Sequence, residues 1–261
     1  MSKNTLRQRL NFFLRSSSSG GGLSWLDFFV LNPLGGLLFD LTGGVYKTDS
    51  CRFVAPKEMS NIGWRGACFW RDRYEAEERS LIKQFLKPED TVIELGACLG
   101  VVSCVTNRLL KDRSRHLVVE ANPYLIHWLQ RNRQLNQAGF LVEHCAVGTP
   151  PETTFYIHPT AVVDGSCQHQ SDNAVRLPCR SLRELHERYG PFSALIMDIE
   201  GGEADVLEMS QDLIKSYRLA VIELHSAIIG EDKIARCKQI LSNAGLQFAG
   251  RAGITEAWRR P

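Results

Sequence analysis

The sequence predicts an α/β fold, built around a Rossmann-like, mostly parallel and doubly wound sheet. The first observation is length, because 261 residues can form one large domain with a full core. The second is an alternation of short apolar runs with helical stretches from residue 91 onward, which is typical of βαβ units. The third is composition, since 44% hydrophobic and 23% charged residues indicate a folded globular protein.

Five runs with apolar and often β-branched centres are predicted to form buried parallel strands. They cover residues 91–95, 116–120, 140–144, 194–198 and 219–223. Helices are predicted around residues 101–110, 123–136, 182–189, 203–215 and 232–244. Residues 149–178 break the alternation with Pro150-Pro151 and a polar stretch, so we expect an irregular insertion above the sheet that lines the substrate.

Three units are expected along the chain. Residues 1–22 combine a basic amphipathic segment with the Ser/Gly linker SSSSGGG, residues 23–90 form an extension that packs on the core, and residues 91–261 form the Rossmann-like domain. The amphipathic segment has two open roles, a helix docked on its own domain or a peripheral anchor on anionic lipid. Asp27, Pro33 and Asp40 interrupt the apolar stretch that follows, so no transmembrane segment is expected.

The net charge indicates which kind of partner to expect, and the cysteine pattern indicates the compartment. The net charge of +2 indicates no nucleic-acid partner and favours a small or neutral substrate. The eight cysteines include no C-x-x-C pair, and the first residues have no secretory signal. We therefore expect reduced thiols and a cytoplasmic protein.

The first motif, ELGACLG at residues 94–100, lies where the first strand turns into a helix. Gly96 and Gly100 permit a tight turn and close approach of the backbone to a ligand. The G-x-G-x-x-G fingerprint of a pyrophosphate loop is absent, and so is a G-x-x-x-x-G-K-[ST] phosphate loop. Glu94 suits a ligand with an ammonium group and no phosphates, such as S-adenosylmethionine; a close-packed turn without ligand is the alternative.

The second and third motifs are acidic residues at the ends of later strands. Glu120 closes the second strand, where an acid accepts hydrogen bonds from the hydroxyls of an adenosine ribose. Asp198, Glu200 and Glu203 follow the fourth strand at the edge where open α/β sheets bind ligands. We expect Asp198 at a reaction centre, whereas Glu203 also suits the start of a helix through the helix dipole.

ELGACLG, VVEANP and IMDIEGGEADVL, in this order, resemble the FkbM-type methyltransferases over residues 74–245. The resemblance implies a class I methyltransferase fold with an antiparallel C-terminal strand. It also implies S-adenosylmethionine as cofactor and O-methylation of a hydroxyl on a small molecule, namely a sugar or natural product, or on a glycan. Cys98 departs from the family pattern, because many members carry Asn there.

The same resemblance assigns parts of the cofactor to residues of this chain. It places the methionine part against Glu94, Gly96, Ala97 and Gly100, the ribose against Glu120 and Asn122, and the adenine edge against Cys145 and Ala146, with Tyr74 and Glu75 closing the site.

Glu223-Leu-His225 ends the fifth strand, beside the fourth, so His225 is predicted to face Asp198. Asp198, Glu223 and His225 are the predicted catalytic group, acting either as a metal-free base assisted by carboxylates or as a divalent-ion site. We favour the metal-free version, because Glu200 and Glu203 fall on the turn and the helix and need not converge on one ion.

Two other functions share parts of this pattern. A nicotinamide-dependent dehydrogenase also needs a glycine loop and an acid after the second strand, but the full glycine fingerprint and a Tyr-x-x-x-Lys pair are missing. A non-catalytic adenosine-binding module would not need the charged third motif. The absence of N-P-P-[YF] after the fourth strand counts against methylation of an exocyclic base nitrogen.

Overall fold

The computed structural model describes residues 30–55, 62–70, 72–157, 165–167 and 173–261. The predicted amphipathic segment and its Ser/Gly linker lie outside the described residues. The first elements are helix α1 (Asn32–Leu41), the antiparallel hairpin of β1 (Val45–Thr48) and β2 (Cys51–Val54), the helical turn α2 (Ile62–Arg65) with a π-helical turn (Gly66–Trp70), and helix α3 (Ala76–Phe85).

The next elements alternate as the sequence predicts. They are β3 (Val92–Leu95), α4 (Val101–Leu109), β4 (His116–Glu120), α5 (Pro123–Leu135) and β5 (Leu141–His144). The segment after β5 contributes β6 (Ala146–Val147), β7 (Glu152–Ile157), β8 (Gly165–Ser166) and β9 (Ala174–Arg180).

The C-terminal part returns to the central sheet. Its elements are α6 (Leu182–Tyr189), β10 (Ala194–Met197), α7 (Glu203–Met209), α8 (Gln211–Ile214), β11 (Leu219–Glu223), α9 (Ser226–Ile229), α10 (Glu231–Asn243), β12 (Gln247–Ala252) and β13 (Thr255–Arg259).

Among the described residues, seven strands form the central sheet, in the order β12-β13-β11-β10-β3-β4-β5. Neighbours from β11 to β5 pair in parallel, and β13 pairs antiparallel with both β11 and β12. The middle strands β3, β4 and β10 are buried along their whole length, as expected where helices cover both faces of a parallel sheet. The predicted Rossmann-like, mostly parallel sheet with an antiparallel C-terminal strand is confirmed.

The insertion after β5 is not irregular where it is described. Its strands form a second, four-stranded sheet in the order β6-β9-β7-β8, and β7 and β9 pair antiparallel over most of their length. Phe155, Ile157 and Leu177 from these two strands form a small apolar cluster. Their alternation with polar neighbours is a strand pattern, which the prolines and polar residues around it obscure in the sequence.

The N-terminal extension contacts the core on the side of α4 and α5. Phe39, Tyr46 and Phe53 belong to the same apolar cluster as Leu125 and Leu129 of α5. Side-chain amides of α5 also pair with the open edge of β2. Asn132 Oδ1 accepts a hydrogen bond from the Val54 amide at 2.8 Å, and Asn136 Oδ1 accepts one from the Arg52 amide at 2.8 Å. The division of the chain at residues 22 and 90 stays a prediction.

Within the ranges that the structure describes, no helix combines the length and the apolar character that crossing a membrane requires.

Candidate functional site

A cavity of about 670 Å³ lies at the carboxyl ends of the central strands, within the roughly 300–1,000 Å³ of small-molecule sites. Residues at the ends of β3, β4, β10 and β11, the start of α3 and the second sheet line it. Most of the predicted site residues are among them, namely Tyr74, Glu75, Gly96, Glu120, Asn122, Cys145, Ala146, Asp198 and Glu223. The topology therefore brings distant sequence motifs together at one edge of the sheet.

Three backbone amides hold the carboxylate of Glu120. Oε2 accepts hydrogen bonds from the amides of Ala97 at 3.0 Å and Cys98 at 2.7 Å, and Oε1 accepts one from the amide of Asn122 at 2.6 Å. Burial raises the pKa of Glu120, and these N–H groups oppose the rise because they favour the charged form. Glu120 thus links the glycine loop to the end of β4, and Ala97 contributes through its backbone.

Gly96 is required by a close approach of two strand ends. Its φ is +84°, and a Cβ atom at this position would lie 1.7 Å from the carbonyl oxygen of Asp198. Only glycine fits both the left-handed conformation and this contact. The loop after β3 is therefore pressed against the end of β10.

Glu94 and Gly100 do not reach the cavity, which corrects their predicted contact with the methionine part. Glu94 is 1% exposed, and its carboxylate accepts a hydrogen bond from Ser103 Oγ and lies 3.1 Å from His116 Nε2. Both oxygens are thus occupied inside the fold. Gly100 begins α4 with a φ of +79°, where a Cβ atom would lie 2.5 Å from Leu129 Cδ1. Both residues therefore have structural roles in the fold around the glycine loop.

Tyr74 and Glu75 cover the cavity from the side of α3. Tyr74 donates a hydrogen bond from its hydroxyl to Cys98 Sγ at 3.0 Å, so the residue at the departure from the family pattern contacts this element. Glu75 adopts a left-handed conformation with a φ of +51°. Burial, with an added contribution from the charge of Glu94, raises the pKa of Glu75 to about 8 against the effect of a hydrogen bond from Tyr74.

The cavity is strongly acidic. Its described lining residues include no lysine or arginine, and they include the carboxylates of Glu75, Glu77, Glu120, Asp198, Glu200, Asp205, Glu208 and Glu223. Two of these acids, on α7, have partners at the rim, since Asp205 lies 3.8 Å from Lys233 and Glu208 lies 3.4 Å from Arg236. Such a cavity attracts cations and repels phosphate groups.

His225 lies beside Asp198, the residue that it was predicted to face, and beside three further acids, although it does not line the cavity itself. Its Nδ1 lies 2.8 Å from Glu203 Oε1, and its Nε2 lies 3.5 to 3.6 Å from carboxylate oxygens of Asp198, Glu200 and Glu223. Burial would lower the pKa of His225, but the hydrogen bond to Glu203 and the charges of Asp198 and Glu200 outweigh it and raise the pKa to about 10.

The raised pKa changes the predicted role of His225. An imidazole that holds its proton at neutral pH cannot accept another one, so His225 is a poor candidate for a metal-free general base. The pKa of Asp198 is also raised, mainly by burial and then by the charges of Glu223 and Glu200. In their ionised form, Asp198 and Glu223 can accept a proton and both line the cavity, so they are the better candidates for a base.

Several lining residues had no predicted role. Glu200 was noted in the third motif without an assigned role, and Glu77 follows closely after Glu75 in the sequence. Thr149, Phe155 and Cys179 lie in the insertion, which was expected to line substrate without any residue being singled out. Their contribution depends on the pairing of β7 with β9, and local sequence does not reveal such pairing.

Residues 94–248 match the family model of the methyltransferase FkbM domain. A search of curated proteins found no match.

Three solved structures illustrate the remote likenesses. Methyltransferase FkbM from Methylobacillus flagellatus KT is 16% identical, with 76% of this chain and 53% of that chain covered and a TM-score of 0.44. An O-methyltransferase from Bacillus cereus in complex with SAH is 11% identical, with 100% and 92% covered and a TM-score of 0.42. Precorrin-6y C5,15-methyltransferase from Geobacter metallireducens GS-15 is 10% identical, with 80% and 94% covered and a TM-score of 0.48.

Proposed function

Since the chain belongs to the FkbM methyltransferase family, we propose that it is an S-adenosylmethionine-dependent enzyme that O-methylates a hydroxyl of a sugar, a glycan or a natural product. The observation that carries the proposal is the acidic cavity at the carboxyl ends of the strands. The residues assigned to the ribose and the adenine edge line it, and so do Asp198 and Glu223 of the predicted catalytic group.

The residues of the cavity fit S-adenosylmethionine, which has a sulfonium, an ammonium and no phosphate. The acidic lining suits the two cationic groups of this ligand. The sequence has no phosphate-binding loop, as expected for a ligand that has no phosphate group. Within the described chain, three buried carboxylate oxygens have no hydrogen-bond partner, and two of them, Glu75 Oε2 and Asp198 Oδ1, belong to residues that line the cavity. Buried polar atoms without partners are costly, so a polar ligand would satisfy them.

When bound, S-adenosylmethionine supplies a methyl group made electrophilic by the sulfonium. The protein would hold a hydroxyl oxygen in line with that methyl group and accept the hydroxyl proton, as the oxygen–carbon bond forms, the carbon–sulfur bond breaks and S-adenosylhomocysteine leaves. Asp198 and Glu223 lie at the adjoining ends of β10 and β11 and line the cavity, so we assign the proton to one of these carboxylates.

The second sheet is the proposed acceptor side. Thr149, Phe155 and Cys179 line the cavity there and are not among the residues assigned to the cofactor. A mixed apolar and hydroxyl surface suits a polyhydroxylated molecule with an apolar face better than a phosphorylated one.

Calorimetry with S-adenosylmethionine, S-adenosylhomocysteine and NAD tests the proposed cofactor. We expect both adenosyl compounds to bind and NAD not to bind. Glu120→Ala should weaken binding by roughly 1–3 kcal/mol, because charge-assisted hydrogen bonds are lost. The matched control is Glu187→Ala, which removes an exposed acid on α6 and should keep the wild-type affinity.

Transfer of labelled methyl groups to a panel of hydroxylated acceptors then separates an enzyme from a non-catalytic binding module. Tight binding of NAD together with no binding of either adenosyl compound would contradict the proposed function.

A further inference from the structure

The two ring nitrogens of His225 have different surroundings. The residue is 9% exposed, and its Nδ1 contacts Glu203 Oε1 at 2.8 Å. Its Nε2 faces carboxylate oxygens of Asp198, Glu200 and Glu223 at 3.5 to 3.6 Å. Nε2 is thus surrounded by acids, none of which lies at a close hydrogen-bond distance.

The neighbouring acids lie close enough to His225 for the three residues to share one ion. Asp198 Oδ1 lies 3.6 Å and Glu200 Oε2 lies 3.5 Å from His225 Nε2, and ligand atoms of the three residues all lie within 4.8 Å of one another. These separations are too long for good hydrogen bonds. Atoms bound at about 2.1 Å to a tetrahedral ion lie roughly 3.4 Å apart.

Asp198 Oδ1 is a buried atom that has no hydrogen bond inside the described chain. It belongs to the same group of three donors as His225 Nε2. A single cation placed between the three residues would satisfy both atoms at once and would offset the mutual repulsion of the two carboxylates.

Glu203 supplies the support that metal-binding imidazoles usually have. Its side chain is fully buried, and Oε1 accepts a hydrogen bond from the Gly201 amide at 3.0 Å as well as facing His225 Nδ1. A carboxylate on one ring nitrogen orients the imidazole and leaves the lone pair of the other nitrogen for a metal. Glu203 is thus a positioning residue.

We infer that Asp198, Glu200 and His225 form a binding site for a divalent transition cation such as Mn²⁺, Co²⁺ or Zn²⁺. A mixed set of two carboxylates and an imidazole suits these ions, whereas Mg²⁺ and Ca²⁺ prefer oxygen ligands alone. Three protein ligands leave coordination positions open, as catalytic sites do. The site itself stands on its geometry, and only its role, binding the acceptor hydroxyl beside the methyl donor, rests on the proposed function.

The turn after β10 explains why Glu200 takes part. Glu200 has a left-handed φ of +51°, and this conformation, followed by Gly201 with a φ of +104°, reverses the chain before α7 begins. The reversal brings the Glu200 carboxylate back to His225. The sequence favoured a metal-free centre because Glu200 was not expected to converge on an ion. The position of Glu200 beside His225 removes that reason.

Titration of chelator-treated protein with Co²⁺, without any adenosyl compound present, tests the site directly. We expect one Co²⁺ per chain and visible absorption bands of a four- or five-coordinate ion, with Zn²⁺ displacing Co²⁺. His225→Gln and Glu200→Gln should each weaken Co²⁺ binding at least about tenfold, and Glu203→Gln roughly 10–100-fold through loss of orientation. The matched control His127→Ala removes an exposed imidazole from α5 and should bind Co²⁺ as the wild type does.

The wild-type titration decides the question even where a variant fails to fold. No saturable Co²⁺ binding by the wild type, or wild-type affinity in folded His225→Gln and Glu200→Gln proteins, would overturn the site. Calorimetry with S-adenosylhomocysteine in the presence of a chelator tests the proposed function separately from the metal site. Cofactor binding without Co²⁺ binding defeats only the metal site, and Co²⁺ binding without cofactor binding defeats only the proposed function.

Discussion

At the scale of single residues, burial raises the pKa values of acidic groups in the cavity and of the nearby Glu78, which does not line it. Burial is the largest cause of the raised pKa of Glu75, of Glu78 and of Asp198, and neighbouring acids add to the rise in each case. Glu78 is 4% exposed and its pKa is raised well above the usual value. A cation in the cavity would reverse this balance, because it favours the charged forms.

Glu75 makes the unfolding free energy depend on pH. Its pKa rises from 4.5 to about 8 on folding, so its stabilising effect is complete below pH 4.5 and is lost as the pH rises to about 8. Glu75→Gln removes this dependence, because the amide does not titrate. Urea unfolding from pH 5 to 8 should therefore show a smaller loss of stability in Glu75→Gln than in the wild type.

Glu89→Gln, an exposed acid ahead of β3, is the matched control for that series and should follow the wild-type curve. Equal slopes for the wild type and Glu75→Gln would mean that Glu75 is ionised in the folded protein.

At the scale of elements, an ion pair joins the strands at the edge opposite the cavity. Asp90 precedes β3, and Arg218 precedes β11. Arg218 Nε donates to Asp90 Oδ1 at 2.9 Å, and its Nη2 also bonds the carboxylate. Ser193, ahead of β10, donates to the same Oδ1 at 2.8 Å. These contacts align the starts of three parallel strands, and their carboxyl ends, which carry the site, are thereby aligned as well.

Arg218→Ala should destabilise the protein by roughly 1.5–3 kcal/mol in urea unfolding at pH 7, because buried Asp90 loses a charged hydrogen-bond partner. Burial opposes ionisation of Asp90, but the Arg218 contact outweighs it and lowers the pKa. The stabilisation is therefore present above the usual carboxyl pKa and is lost as the pH falls through the lowered value.

Arg183→Ala breaks an exposed ion pair with Asp212 and should change stability little. The affinity for S-adenosylhomocysteine should survive both substitutions. A stability of Arg218→Ala equal to that of Arg183→Ala would refute the role assigned to the Asp90 contact.

At the scale of the whole molecule, the chain combines the methyltransferase sheet with an N-terminal extension and a second sheet. The extension packs through buried aromatic side chains, among them Tyr46 and Phe53. Arg79 of α3 also holds the extension in place, because its guanidinium donates hydrogen bonds to Tyr46, to Asp49 at 2.5 Å and to Asp72 at 2.9 Å. The described extension is thus part of the folded unit that carries Tyr74 and Glu75 to the cavity.

Deleting residues 1–20 should leave the affinity for S-adenosylhomocysteine and the melting temperature unchanged, because a Ser/Gly linker follows the amphipathic segment. Calorimetry and thermal unfolding of the truncated and full chains provide the comparison. Phe53→Ala in the full chain is the contrast, and should cost about 3–5 kcal/mol because it leaves a cavity in the core. A truncated chain that does not fold would place the boundary elsewhere.

The sequence by itself determined the fold class and the edge of the sheet that carries the site. Both depend on local patterns, since apolar runs of four or five residues specify buried strands and parallel strands place their carboxyl ends together. Glu120, Asp198 and Glu223 reach the cavity because each stands at or just after a strand end.

Only the tertiary structure decided where the other acids point. Glu94 turns inward because Ser103 and His116, from a helix and a neighbouring strand, occupy its carboxylate. Glu200 joins Asp198 and His225 because a left-handed turn reverses the chain. The second sheet forms because β7 and β9 pair although they are not consecutive in the sequence. The direction of a side chain and the pairing of separated strands depend on contacts between residues far apart in the chain, and no local period encodes them.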